Sequence, residues 1–320
     1  MTRALRPRRS CGLHLTLLVG LWVAGGCRDA GSGPLPEPRD ERPPAGRGTF
    51  VYECTEEGRE SENLCVVPIA GGEERHLTDG DATDLSPRFM PDGRQVLFSS
   101  NRSGDYQLWR VTVAGGVVSR VRQSGAREWQ SDPSRDGRWI AYLSNQDGVE
   151  TLRLASTVSG ETREIVQRKR RVMLGNPHLS PSGETIVYSS NESNLGHHVY
   201  VADVRTGVVR RISSLVAGAC EPRFSPDGTR VVHVRRSHTT ADRSWIVEHD
   251  LGKGTERVLV DWPALNYDPV YSPDQTELAF ASTISGRYAL YRLRLADRRS
   301  WRITFGAAAR HPDYAPLTPE

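Results

Sequence analysis

Residues 222–235 read PRFSPDGTRVVHVR, and near copies stand at PRFMPDGRQVLFSS from Pro87, PSRDGRWIAYLSN from Pro133, PHLSPSGETIVYSS from Pro177 and PVYSPDQTELAFAS from Pro269. The leading prolines Pro87, Pro133, Pro177, Pro222, Pro269 and Pro312 recur about every 45 residues, the length of one four-stranded propeller blade. Pro-Asp-Gly is turn chemistry, because Pro presets φ and Gly accepts φ > 0. After each turn come apolar alternations such as Val96 and Phe98, or Ile186 and Tyr188. A second alternating run follows, as in Leu108-Trp109-Arg110-Val111, and then a short one such as Arg302-Ile303-Thr304. Period-2 alternation bounded by Gly and Pro turns means strands. Working outward, residues 49–78 supply three strands without a leading one, and HPDYAP at 311–316 supplies a leading strand with nothing after it. The expected fold is all-β: a six-bladed β-propeller with four antiparallel strands per blade, its first blade closed by the C-terminal strand.

The turn repeats carry a family resemblance. Ser225-Pro226-Asp227-Gly228 is complete, and Met90-Pro91-Asp92-Gly93, Ser134-Arg135-Asp136-Gly137, Ser180-Pro181-Ser182-Gly183 and Ser272-Pro273-Asp274-Gln275 are near matches. With the alternating strands, they resemble the WD40-like (PD40) repeat of the TolB family over roughly residues 49–316. The resemblance implies a propeller and an envelope protein-binding scaffold. The short segment before residue 49 leaves no room for TolB's additional N-terminal α/β domain, so TolB's contacts with Pal and TolA are not expected to carry over.

Residues 1–10 hold four arginines and no acid, residues 11–24 are mostly apolar, and Gly25 and Gly26 precede Cys27. This is the pattern of a secretory signal. Its apolar run falls short of the ~20 residues that span a bilayer. Val23-Ala24-Gly25-Gly26-Cys27 resembles a bacterial lipobox, with Ala24 where Leu is usual, which implies cleavage before Cys27 and lipidation of that residue. The alternative is an ordinary signal with an incidental Cys. Residues 28–48 are Pro, Gly and charge, a composition that cannot bury a core. The expected organisation is a signal over 1–26, lipidated Cys27 and a tether to 48, the propeller over 49–316, and a tail over 317–320. Arg28, by resemblance to lipoproteins that carry Asp there for inner-membrane retention, points to the outer membrane.

The chain has 42 basic and 39 acidic side chains, a net charge of +3. Without residues 1–26 the balance is 38 against 39, which excludes binding of nucleic acid by bulk charge. There is no G-x-S-x-G elbow, metal-binding spacing or phosphate loop, so no catalytic residue, metal or cofactor is expected. The Asp-Gly pairs read as turn residues and His197-His198 as exposed loop residues. Cys54 and Cys65 flank one hairpin of an exported chain, where a disulfide is expected over two buried thiols.

The residues before the leading prolines are expected to ring one mouth of the channel: Ser86, Asp132, Asn176, Glu221, Asp268 and His311. They read as caps for backbone donors or as a polar funnel for a ligand. Trp262 and Tyr267 are aromatic candidates on the same face. The reading is a non-catalytic, monomeric scaffold that binds a protein or peptide at the bacterial envelope, its only membrane contact the N-terminal lipid. The alternative is a periplasmic propeller enzyme or carbohydrate-binding protein using the polar mouth.

Overall fold

The structure, a computed structural model, describes residue 38, residues 43–46 and, from 48 to 316, all but 168–170, 194–195, 215–216 and 238. The signal, Cys27, Arg28, most of the tether and residues 317–320 lie outside the described residues. Strands follow in chain order: β1 Thr49–Thr55, β2 Asn63–Pro68 and β3 Arg75–His76; then β4 Asp84–Phe89, β5 Gln95–Ser100, β6 Gln107–Thr112 and β7 Ser119–Arg120. The third group is β8 Arg127–Pro133, β9 Trp139–Gln146, β10 Val149–Ser156 and β11 Thr162–Gln167, and the fourth β12 Leu174–Leu179, β13 Thr185–Ser190, β14 His198–Asp203 and β15 Val209–Arg211. The fifth is β16 Ala219–Phe224, β17 Arg230–Arg236, β18 Ser244–Asp250 and β19 Thr255–Val260. The sixth is β20 Asn266–Tyr271, β21 Glu277–Ser282, β22 Ala289–Arg294 and β23 Ser300–Arg302, and β24 Ala308–Tyr314 ends the chain.

These strands form six sheets of four, one of them ordered β24-β1-β2-β3. The C-terminal strand is thus the inner strand of blade 1, and groups two to six are blades 2 to 6. Blades stack on apolar faces. Phe50, Tyr52 and Val67 of blade 1 pack against Val270, Ala279 and Leu290 of blade 6, and Ile246 and Leu259 of blade 5 against Phe280 and Tyr291. The repeated turn is self-satisfied: in blade 5 the Gly228 N–H donates to Ser225 O, the Thr229 N–H to Asp227 Oδ1 and the Arg230 N–H to Ser225 Oγ. Gly228 has φ 74°, where a Cβ would also sit 3.2 Å from Pro181.

One register in the sequence reading needs correction. All six inner strands carry a bulge, between Leu85 and Arg88, Trp129 and Asp132, Gly175 and His178, Cys220 and Arg223, Tyr267 and Val270, and Arg310 and Asp313. In blade 3 the position of the leading Pro is therefore held by Ser131, and Pro133 lies two residues further along. The bulged residue there is Gln130, not Asp132.

A disulfide joins Cys54 on β1 to Cys65 on β2, with the Cα atoms 5.8 Å apart. Because it closes a short loop, replacing both cysteines by Ser is expected to cost about 2–3 kcal/mol. Chemical denaturation checks this, and an unchanged midpoint contradicts it.

Candidate functional site at the channel mouth

At the bulges, polar side chains sit in left-handed backbone: Ser86, Gln130, Asn176, Glu221, Asp268 and His311 have φ between 49° and 56°. Non-Gly residues adopt this region rarely, and here neighbouring blades hold it. The Asn176 N–H donates to Gln130 Oε1 at 2.8 Å, the Asp268 N–H to Glu221 Oε2 at 2.7 Å and the His311 N–H to Asp268 Oδ2 at 3.1 Å. The Ser86 N–H donates to Glu53 Oε1 and the Gln130 N–H to Ser99 Oγ. In each pair the acceptor belongs to the preceding blade. A second belt lies two residues further along. The Phe89 N–H donates to Asp313, the Leu179 N–H to Asp132 and the Phe224 N–H to His178 Nδ1. These side chains do cap backbone donors, but those of the next blade rather than of their own turn. Asp132 belongs to this deeper belt, 3.8 Å from Arg88 Nε, and not to the mouth ring.

His178 accepts through Nδ1 and is therefore neutral. Burial, with Arg223 and Arg88 nearby, holds its pKa well below the usual value. Burial and the neighbouring Arg223 likewise lower Arg88 to about 10.

Glu221, Asp268 and His311 converge with two residues that the sequence did not single out, Glu53 and Arg310. Arg310 Nε lies 2.9 Å from Asp268 Oδ2, and its Nη2 lies 3.4 Å from Glu221 Oε1. His311 spans Glu53 Oε2 at 2.9 Å and Asp268 Oδ1 at 3.0 Å. All five lie on inner strands except Glu53, which β1 places opposite Arg310. The Arg310 guanidinium carbon lies 4.8 Å from the Tyr288 ring and 5.2 Å from the Tyr267 ring, and the two rings meet edge-on with centroids 6.4 Å apart. Tyr288 is half-buried and Tyr267 is buried. Trp262 is only 2% exposed, between Phe280 and Tyr291, so its ring is core and presents nothing to a ligand. Its loop is pinned by the Asn266 amide, which donates to Ser244 O, Ala264 O and Trp262 O. Against expectation, His198 is fully buried, with Nδ1 3.0 Å from Ser214 O, and burial lowers His197 to about 4.

The mouth charges are coupled. Burial and the adjacent Asp268 carboxylate push Glu221 up to about 8, against Arg310 and His311. Burial would raise Asp268 too, but Arg310 and His311 outweigh it and hold it below the usual range. Burial opposes the charge on His311, yet Asp268 and Glu53 raise its pKa. Glu221 and His311 therefore bind more protons folded than unfolded. Their stabilisation is complete at low pH and is lost as pH rises, between ~4.5 and ~8 for Glu221 and above ~6.5 for His311. Asp268 acts oppositely and loses its contribution as pH falls below ~3.8. Stability is expected to peak in mild acid and to fall by on the order of 1–3 kcal/mol toward pH ~9. Glu221→Gln should flatten that fall in denaturant titrations at stepped pH. An equally steep fall in the variant contradicts the assignment.

The TolB beta propeller domain family (PD40) matches residues 44–192 and 150–317. Tol-Pal system protein TolB of Francisella tularensis subsp. tularensis is 24% identical over 70% of this chain and 52% of its own length. Dipeptidyl-peptidase 5 of Porphyromonas gingivalis is 22% identical over 77% of this chain and 44% of its own. The chain spans about half the length of the curated relatives it matches. The crystal structure of TolB from Acinetobacter baumannii superposes with a TM-score of 0.74 at 17% identity, covering 84% of this chain and 67% of that one. The sheets, the mutual capping of their inner strands and these matches together show that the chain belongs to the TolB beta propeller domain family.

Proposed function

We propose that the protein is a non-catalytic, lipid-anchored scaffold of the bacterial envelope that binds a protein or peptide segment at the channel mouth. The observation that carries this reading is the saturation of the mouth carboxylates. Asp268 takes Arg310, the His311 ring and the His311 backbone N–H, and Glu53 takes His311 and the Ser86 N–H. A general base needs an uncommitted lone pair near the reacting proton, whereas a recognition surface needs fixed charge and an accessible aromatic edge. Arg310 and Tyr288 provide that combination. The relative named for the Tol-Pal system supports an assembly role. A second reading, an enzyme, has one feature in its favour: Glu221 is a buried carboxyl whose pKa burial and the adjacent Asp268 raise, as suits a general acid.

Crosslinking pull-down from envelope extracts, with wild type and Tyr288→Ala, tests the first reading. Partners captured by wild type should be lost in the variant, and identical capture by both contradicts binding at the mouth. Turnover in a hydrolase and lyase substrate screen, abolished by Glu221→Gln, would favour the second. Cys27→Ser is expected to shift the protein wholly from the membrane fraction without altering its melting temperature. An unacylated N-terminal peptide in the wild type would contradict the anchor.

A further inference from the structure

Blade 1 holds another chemically loaded cluster, outside the channel. Successive side chains of a strand face opposite sides of its sheet, so Cys54 points away from the side that Glu53 gives to the mouth. The sulfurs of Cys54 and Cys65 and a ring nitrogen of His76 all lie within 4.8 Å of one another. His76 Nε2 is 3.1 Å from Glu56 Oε1. An open depression of about 350 Å³, lined by Glu56, Cys65, Glu74 and His76 among others, gives solvent a route to the group. Glu74 is already committed, accepting from the Tyr52 hydroxyl and from the Phe305 and Gly306 N–H groups.

We propose that this cluster is a redox-gated site for a zinc-class divalent cation, closed while the disulfide stands and formed when it is reduced. Cys54, Cys65 and His76 are the ligands, and Glu56 is the fourth. In the oxidised state both sulfurs are spent on each other. A dithiol reductant delivers two electrons and two protons to the S–S bond, which breaks to give two thiols. Zn²⁺ then displaces both thiol protons as two Zn–S bonds form. Tetrahedral zinc, with Zn–S of about 2.3 Å and Zn–N of about 2.0–2.1 Å, spaces its ligand atoms roughly 3.4–3.8 Å apart. The His76 nitrogen lies under 4.8 Å from both sulfurs, within about an ångström of that range, and reduction frees the two sulfurs to separate to it by side-chain rotation. The chemistry also favours the ion. Cys54 and Cys65 are 1% and 3% exposed, and buried apolar surroundings resist thiolates unless a cation compensates them. Two thiolates, an imidazole and a carboxylate form a donor set suited to zinc rather than calcium or magnesium.

The test uses the exported chain with its other cysteines intact, reduced with a dithiol that is then removed without oxygen, and Co²⁺ as the probe. Reduced wild type should bind one equivalent, with thiolate-to-cobalt charge-transfer and tetrahedral ligand-field bands that Zn²⁺ abolishes. Oxidised protein and the Cys54→Ser/Cys65→Ser variant should show neither band. His76→Ala alters an exposed position, so the fold is retained, and it should weaken binding by at least about tenfold. Circular dichroism of the reduced, metal-free protein monitors the blades. Bands that persist in the double variant, His76→Ala binding as tightly as wild type, or loss of the β spectrum on reduction before metal is added would each overturn the proposal.

Discussion

Deleting residues 308–316 is expected to abolish the cooperative melting transition rather than trim a tail. β24 pairs with β1 through Phe50 opposite Tyr314 and Cys54 opposite Ala309. The Tyr314 ring lies 4.4 Å from that of Phe50. Without the strand, β1 becomes an exposed edge, which invites pairing with another chain. Glu53 and Asp268 stay buried but lose Arg310 and His311. Arg223 and the Phe89 N–H lose Asp313. Each buried charge left without its partner costs about 3–5 kcal/mol. Together these losses match the whole of an ordinary domain's stability, roughly 5–15 kcal/mol. Calorimetry and size-exclusion chromatography measure the outcome. A monomeric truncation that melts at the parent's temperature contradicts closure by this strand.

The second large effect is expected from Asp268→Ala. It withdraws the shared carboxylate from two cations, leaving Arg310 to Glu221 and His311 to Glu53. It also takes the acceptor from the His311 N–H, whose residue is already at φ 49°. The expected cost is about 3–5 kcal/mol. Asp268→Leu combined with Arg310→Met should cost less than the two single changes summed, since a buried pair replaced together leaves no orphaned charge. Urea midpoints for the four proteins close the cycle. Additive losses would mean that the pair is not coupled.

The architecture was legible because its unit repeats. Pro, Asp and Gly mark each turn by their own backbone chemistry, and strand alternation does not depend on what lies across the sheet. The blade 3 register slipped because Ser131 stands where other blades have Pro, while Pro133 offers a false landmark two residues on. Trp262 resembled a ligand-facing aromatic because nothing local shows that Asn266 ties its loop over the core. Glu53 and Arg310 were invisible for a related reason. They meet because the chain's two ends share a sheet, which the leading strand at 311–316 did signal, but the register that sets Arg310 opposite Glu53 carries no mark in the residues beside either of them. Glu221, Asp268 and His311 were legible because they precede a recurring Pro.

The belts of inter-blade bonds also have a sense of rotation. A side chain of one blade holds the backbone of the next, from Glu53 to Ser86, Gln130 to Asn176, Glu221 to Asp268 and Asp268 to His311. Rigidity is therefore handed around the ring one way, and a lesion should propagate downstream only. In Gln130→Ala the Asn176 amide is expected to exchange its hydrogen with solvent faster, while the Ser86 amide, held from the other side by Glu53, keeps its protection.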